Sequence, residues 1–327
     1  MMMNTRPLSV SFYKERLDEH MARATREAFG ETLIELAEQG LDVVAVDADL
    51  AGSTTTAKFG VAYPDRFFDV GIAEQNMMDL AAGLSLTGKI AFTGSFAVFG
   101  TGRCYDQIRN TVAYANLNVK ICPTHAGISV GPDGGSHQML EDISLMRTLP
   151  NMRVLVPADY MSAKAALRLA SKVDGPVYVR MGRQKVAEIF DEEPSLEFGG
   201  SNLLREGSDI TIVSCGVMVE LAMQAAQKLS KEGIEAEVID AYSIVPFDEK
   251  TLLSSARKTK RVLTIEEHSI YGGLGSTVAE ILSESEPTKL KRMGMDRIFG
   301  TSGNFEELLG HFELDVDSIV RTCKNLF

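Results

Sequence analysis

"DVVAVDA", residues 42 to 48, is a short valine-rich run whose apolar stretch, residues 43 to 46, is unbroken and contains no Gly or Pro. A run with no polar alternation predicts a strand buried on both faces, as in a parallel sheet. It follows "ATREAFGETLIELAEQG" (24–40), a helical pattern that ends at Gly40, a plausible C-cap. The same strand type recurs as "NVKICP" (118–123), "RVLVP" (153–157) and "PVYVR" (176–180). Helical patterns lie between them. "EQNMMDLAAGLSL" sets Met77, Leu80, Ala81 and Leu84 on one face, and "QMLEDISLMRTLP" groups Met139, Ile143 and Met146 before Pro150. "MSAKAALRLASKV" completes the set. Such alternation predicts a mostly parallel sheet with helices on both faces, and ligands beyond the carboxyl ends of its strands.

The chain has 327 residues, 45% hydrophobic and 24% charged, enough for two domains. The pattern breaks in the acidic, Pro- and Gly-containing stretch 190–209, then restarts with "DITIVSCG", a helix over about 217–232, "EAEVIDA", "RVLTIEE" and "GLGSTVAEILSE". A second, smaller α/β unit is expected there. The net charge of −12 disfavours nucleic acid or an anionic membrane as partner. Cys104, Cys122, Cys215 and Cys323 form no CxxC pair, which points to a reducing, cytoplasmic setting without a disulfide framework or zinc site. No apolar run reaches a membrane span, and the first twenty residues lack the apolar core of a signal peptide.

"GPDGGSHQ" (131–138) crowds glycines around Asp133 and His137, with His125 upstream and Arg183 after a later strand. A connector explains the glycines but not so many polar groups. The spacing suits no common metal-ligand pattern, whereas histidines that donate to substrate hydroxyls and phosphate and an arginine that clamps an anion suit it better. Glu74 opens a helix, where a glutamate commonly serves only the helix dipole. Phe96 and Phe99 could equally be core. "YGGLGSTVAE" (271–280) lacks the full GxGxxG spacing and is expected as a tight strand-to-helix turn, and "EEH" (266–268) as a solvated or interface position.

In order, "DADLAGST" (47–54), "GIAEQNM" (71–77), "GSFAVF" (94–99), "THAGISVGPDGGSHQ" (124–138), "PNMRVLVPAD" (150–159) and "RMGRQ" (180–184) resemble the C-terminal half of the transketolase family. The resemblance runs from about residue 20 to the C-terminus. It implies a thiamine-diphosphate pyrimidine-binding domain with an N-terminal extension (1–194), followed by a transketolase C-terminal domain (195–327). Each is a mostly parallel sheet with helices on both faces. The implied activity is transfer of a two-carbon ketol unit from a ketose phosphate to an aldose, as in pentose-phosphate metabolism. Glu74 matches the glutamate that hydrogen-bonds the cofactor's pyrimidine, Phe99 the aromatic stacked on that ring, Phe96 a lining residue and Asp49 an aspartate near the cofactor. His137 and Asp133 match contacts to donor hydroxyls, with Glu74 and His137 in catalytic roles. Ser53, His125 and Arg183 match contacts at the phosphate end.

Two positions depart from the family. Gly102 stands where another aromatic is usual, and Arg23 in "MARAT" lies one place from an expected phosphate-binding arginine. The chain also has no GDG motif and no room before residue 20 for the family's diphosphate-binding domain. The resemblance therefore implies a split enzyme. An N-terminal subunit would bring the diphosphate and Mg²⁺ site, this chain would supply no metal ligand, and two of each subunit would form a heterotetramer. Alternatives are a beta subunit of a 2-oxoacid dehydrogenase, a deoxyxylulose-phosphate-synthase-like enzyme, or a non-catalytic regulatory homologue. His125 with Arg183 favours a phosphosugar, because a small oxoacid needs no distant anion clamp.

Overall fold

The computed structural model describes residues 22–327, so the expectations for the first residues lie outside it. The first unit contains β1 (Arg23–Ala24), α1 (Ala28–Glu38), β2 (Val43–Asp47), the short helices α2 (Ala51–Thr54) and α3 (Ala57–Ala62), and β3 (Phe67–Asp69). It continues with α4 (Glu74–Ser85), β4 (Ile90–Gly94), β5 (Val119–Ile121), α5 (Asp142–Arg147), β6 (Arg153–Leu155), α6 (Tyr160–Ser171), β7 (Val177–Val179) and β8 (Lys185–Val186). Helix α1 buries Phe29, Leu33 and Leu36, spaced three or four apart, and ends as Gly40 enters the left-handed region at φ +87°.

The second unit runs β9 (Asn202–Arg205), β10 (Ile210–Ser214), α7 (Met218–Lys231), β11 (Ala236–Asp240), β12 (Ser243–Val245), α8 (Glu249–Thr259) and β13 (Arg261–Ser269). It closes with α9 (Leu274–Ser285), β14 (Lys289–Met295), α10 (Phe305–His311) and α11 (Val316–Lys324). Among the described residues, no helix is long and apolar enough to cross a membrane.

Two main sheets result. One has seven strands in the order β12-β6-β7-β5-β4-β2-β3, parallel throughout except where β12 joins β6. The other is β14-β13-β10-β11-β9, parallel except for β9. Strands β9, β12 and β14 escape the sequence pattern for a physical reason. They are sheet edges, and edges carry polar residues; β14 reads "KLKRMGM". Strand β12 also pairs with a partner almost ninety residues away, which no local periodicity encodes.

In the first sheet β2 lies between β3 and β4, so successive connections leave it in opposite directions and open a crevice at its carboxyl end. The segments after β2, β3, β4, β5 and β7 all emerge on that side, because these strands run parallel. Every site residue expected from the sequence lies in one of those segments.

Between the two units sits a buried ionic network. Asp142, at the start of α5, accepts hydrogen bonds from Tyr178 Oη (2.6 Å) and Arg180 Nε (2.7 Å). Arg180 reaches on to β13, with Nη1 3.4 Å from Glu267 Oε1 and Nη2 donating to the Glu267 carbonyl at 3.1 Å. Burial is the largest single influence on Asp142 and opposes its ionisation, but the Arg180 charge, His268 and the hydrogen bonds from Arg180 and Tyr178 together outweigh it and hold this carboxyl below its usual range. The "EEH" stretch is therefore at an interface rather than in solvent. Glu266 accepts from the backbone N–H groups of Leu274 and Gly275, both at 2.7 Å. The start of α9 is thus closed by the protein's own carboxylate, and the 271–280 cluster is a tight turn.

Asp142→Ala would leave the Arg180 charge buried with one distant partner, and a loss of about 3–5 kcal/mol is expected. Tyr178→Phe should cost only about 1 kcal/mol, because it removes one hydrogen bond and keeps the packing. Urea unfolding compares them, and equal small losses would show that the network carries no such burden.

Candidate functional site

The turn after β2 is fixed by Asp47, which is fully buried. Its carboxylate accepts from Leu50 N, Thr54 Oγ1 and Thr56 Oγ1, each at 2.8 Å. Within "DADLAGST" the first aspartate builds the turn, while Asp49 is exposed with φ +61° and donates its N–H to Asp69 Oδ1. Ser53 ends on the same turn, where its carbonyl accepts from Arg26 Nη1 at 2.6 Å.

Glu74 is the first residue of α4 and only 3% exposed. Its Oε1 accepts from Arg103 Nη1 at 2.8 Å. Arg103 closes a π-helical segment, Val98–Arg103, and its guanidinium lies over the Phe99 ring, 4.3 Å from the centroid. Phe99 is 6.2 Å from Phe96 in a near-parallel arrangement, and Phe96 stacks on His125 at 3.8 Å. His137 presents its edge to both phenylalanines, at 5.4 Å from Phe99 and 6.4 Å from Phe96. Glu74, Arg103, Phe99, Phe96 and His125 thus form a chain of contacts, with His137 set against both phenylalanines.

His125 feels the charges of Arg26 and Arg183, and these two arginines line a cleft of about 410 Å³ together with Lys185, Ser129, Asn304 and the carboxylates Glu27 and Glu306. Local pairing puts the two arginines there. Thr25 Oγ1 accepts the Gly182 N–H at 2.7 Å, and β1 pairs with β8, so the residues flanking both contacts meet. Arg183 donates to the Val130 carbonyl at 2.5 Å and lies 3.5 Å from Asp133. Among the described residues, Arg26 Nε is buried without a hydrogen-bond partner. An orphaned guanidinium N–H in a basic cleft is suited to an oxyanion. Burial, with Arg26, Arg183 and His137 nearby, pushes His125 down to about 3, so its ring is neutral near pH 7. Thr124 Oγ1 sits 2.7 Å from Nδ1, which leaves Nε2 as the other polar atom of the ring.

Arg23 is committed elsewhere. It pairs with Glu27 and Glu31 and lies over the Tyr160 ring at 3.4 Å. The arginine of this segment that faces the cleft is Arg26, which the sequence reading passed over. Its signal was there: it stands three residues on, in the first turn leading into α1.

The glycines of the 124–138 loop serve the second unit. A Cβ at Gly127 (φ +77°) would overlap the Glu267 carboxyl, and one at Gly134 (φ +75°) would overlap Ser302 Oγ. Glu267 also accepts from Ser129 N (2.9 Å) and Oγ (3.1 Å), so β13 grips the loop that carries Asp133 and His137. The close approach these glycines permit is to the protein's own C-terminal portion. Asp133 is exposed and His137 half-buried.

A buried carboxyl beside an aromatic face is a donor set that fits an aminopyrimidine, and Gly102 leaves open space nearby, with no atom within 4 Å of a Cβ built there. Among the described residues, no group of three or more His, Cys, Asp or Glu side chains could hold a metal ion.

Residues 21–188 match the family model described as transketolase, pyrimidine binding domain, and residues 199–319 match transketolase, C-terminal domain. A Methanocaldococcus jannaschii protein named as a transketolase C-terminal section is 47% identical over 303 residues, covering 91% of this chain and 95% of the relative. The 6-deoxy-6-sulfo-D-fructose transketolase subunit of a Clostridium species (strain MSTE9) is 42% identical, covering 95% of this chain and 96% of its own. A solved structure described as a split-gene transketolase, inactive β4 tetramer, matches with TM-score 0.85 and 46% identity over 93% of this chain and 97% of that one.

Two measurements follow from the basic cleft. Arg26→Ala should weaken binding of inorganic phosphate to the full chain about tenfold, the worth of one charge-assisted bond, while Arg23→Ala should not. NMR titration distinguishes them, and equal effects would contradict the geometry. His125 titrates near 6.5 when unfolded and near 3 when folded. The unfolded chain thus takes up a proton over this window that the folded chain refuses, and stability falls as pH drops through it. In His125→Asn the urea midpoint should fall less steeply between those values.

Proposed function

Because the chain belongs to the transketolase family, we propose that it is the C-terminal subunit of a two-subunit transketolase. In this reading it moves a two-carbon ketol unit from a ketose phosphate to an aldose acceptor. The carrying observation is the chain of contacts from Glu74 through Arg103, Phe99 and Phe96 to His125, which lies within the field of the cleft arginines Arg26 and Arg183. One end suits a neutral heteroaromatic ring and the other an oxyanion, with polar side chains between.

Bound thiamine diphosphate would supply an activated carbon able to carry the ketol unit. The roles of this chain's residues follow from their surroundings. Glu74, shielded from water, would hydrogen-bond the pyrimidine ring, whose face Phe99 would cover while Phe96 lines the pocket. Asp49, on the turn built by Asp47, would lie toward the cofactor. His137, oriented by Ser136 Oγ 3.0 Å from its Nδ1, would meet the donor hydroxyls and pass a proton at the reacting end. Asp133 would select a hydroxyl while its pairing with Arg183 limits its range. Arg26, Arg183, Ser53 and neutral His125 would hold the terminal anion, and that remote binding would fix the sugar's reacting end. The sulfo group named for the Clostridium relative's sugar supports an anion at this end. That anion also separates this reading from a 2-oxoacid dehydrogenase beta subunit.

The Mg²⁺ and diphosphate site belongs, in this proposal, to an N-terminal partner, in a two-plus-two assembly in the cytoplasm. The solved relative called an inactive β4 tetramer supports partner dependence. All four cysteines are buried and unpaired, which fits a reducing compartment. The division at residue 195 is part of the proposal, although β12 completes the first sheet from beyond it.

The test is reconstitution with a chain carrying the GDG motif, assayed for ketol transfer from ketose phosphates and for pyruvate decarboxylation. Ketol transfer is expected only from the mixture, and Glu74→Ala should lower it at least about a hundredfold. Activity of this chain alone, decarboxylation without transfer, or Glu74→Ala activity within about tenfold of wild type would each overturn the proposal.

A further inference from the structure

Arg103 engages both groups that the proposed function assigns to the pyrimidine. Its Nη1 donates to Glu74 Oε1 at 2.8 Å, and its guanidinium lies 4.3 Å from the Phe99 ring centroid. A planar cation over an aromatic face is the position a stacked heteroaromatic ring would need. An arginine donating to Glu74 Oε1 competes with a ring nitrogen for that oxygen, and the guanidinium and a stacked ring cannot share the same Phe99 face.

We propose that Arg103 is a gate on the pyrimidine site: in the cofactor-free chain it covers Phe99 and pairs with Glu74, and it must swing out before an aminopyrimidine binds. The inference rests on the assignment of Glu74 and Phe99 to the cofactor. The local structure permits the movement. Arg103 is 47% exposed while Glu74 is 3% exposed, so the guanidinium can leave toward water without disturbing the core. It follows Gly102, which has no atom within 4 Å of a Cβ position, so the usual aromatic is missing and the guanidinium takes over the neighbouring ring face. The backbone around it is π-helical, over Val98–Arg103 and again over Gln107–Ala113, an arrangement concentrated at functional sites. The closed gate also accounts for two otherwise costly features of a free chain. It supplies the cation that a buried Glu74 carboxylate needs, and it shields an aromatic face that would otherwise meet water.

A gate lowers apparent affinity by the fraction of time it is open, so a chain closed nine-tenths of the time loses about tenfold. The experiment uses the full chain and 4-amino-5-hydroxymethyl-2-methylpyrimidine, a fragment that needs neither diphosphate site nor metal. Its affinity is measured by saturation-transfer NMR, with thermal melts to confirm folding. Arg103→Ala and Arg103→Gln, which keeps bulk without charge, should each bind the fragment about tenfold tighter than wild type. Adding Phe99→Ala to Arg103→Ala should abolish the gain. Equal or weaker binding by both single variants overturns the gate and makes Arg103 a fixed wall. Tighter binding that survives Phe99→Ala instead overturns the assignment of the ring site, because the fragment then binds elsewhere.

Discussion

Arg180 carries a charge in the dry interior, and the protein's two halves are joined by the means that neutralise it. Its guanidinium meets Asp142 from the first half and Glu267 from the second. A single unpaired charge at that depth would cost more than most domains can spare, so neither half can move away without leaving it exposed to apolar surroundings. Glu267 then extends the constraint to Ser129 and the space left by Gly127. The loop that bears Asp133 and His137 is therefore positioned by a strand of the other half. The C-terminal unit shapes the site by bracing that loop and by contributing Asn304 to the wall of the basic cleft.

The site divides by charge along a short path. At one end a buried carboxyl, two phenylalanines and a neutral, buried histidine create a low-dielectric aromatic slot. At the other, Arg26, Arg183 and Lys185 gather positive charge in a chain whose net charge is −12. Glu27 and Glu306 share that wall, so the cationic side chains outnumber the carboxylates there by one, against the sign of the overall field. The proposed gate belongs to the same economy of charges, since Arg103 gives Glu74 a counter-ion when no ligand is present.

Much of this was legible in the sequence because it is encoded locally. Uninterrupted runs such as "DVVAVDA" can only be satisfied by burial on both faces, and their alternation with amphipathic helices leaves few arrangements besides covered parallel sheets. The order of polar segments after those strands also placed Glu74, Phe99, His125, His137 and Arg183 at one end of one sheet. Asp47 and Asp49 show where local reading stops. Both are aspartates in one motif, yet only hydrogen bonds to Thr54 and Thr56 reveal that the first is buried structure and the second exposed. Arg23 and Arg26 differ in the same way: three residues apart, one on strand β1 and one on the helical turn after it, they face Glu31 and the cleft respectively.

Fold class, family and the residues gathered at the carboxyl ends of the strands are written in hydrophobic period and motif order, which are properties of the linear chain. Which groups touch is settled by packing. The β12 strand in the first sheet, the grip of Glu267 on the 127–129 turn, the choice of Arg26 over Arg23 and the closure of Arg103 over Glu74 and Phe99 all join residues distant in sequence or distinguished only by direction. Contacts of that kind are set by how the two halves pack around a buried charge, and periodicity carries no record of them.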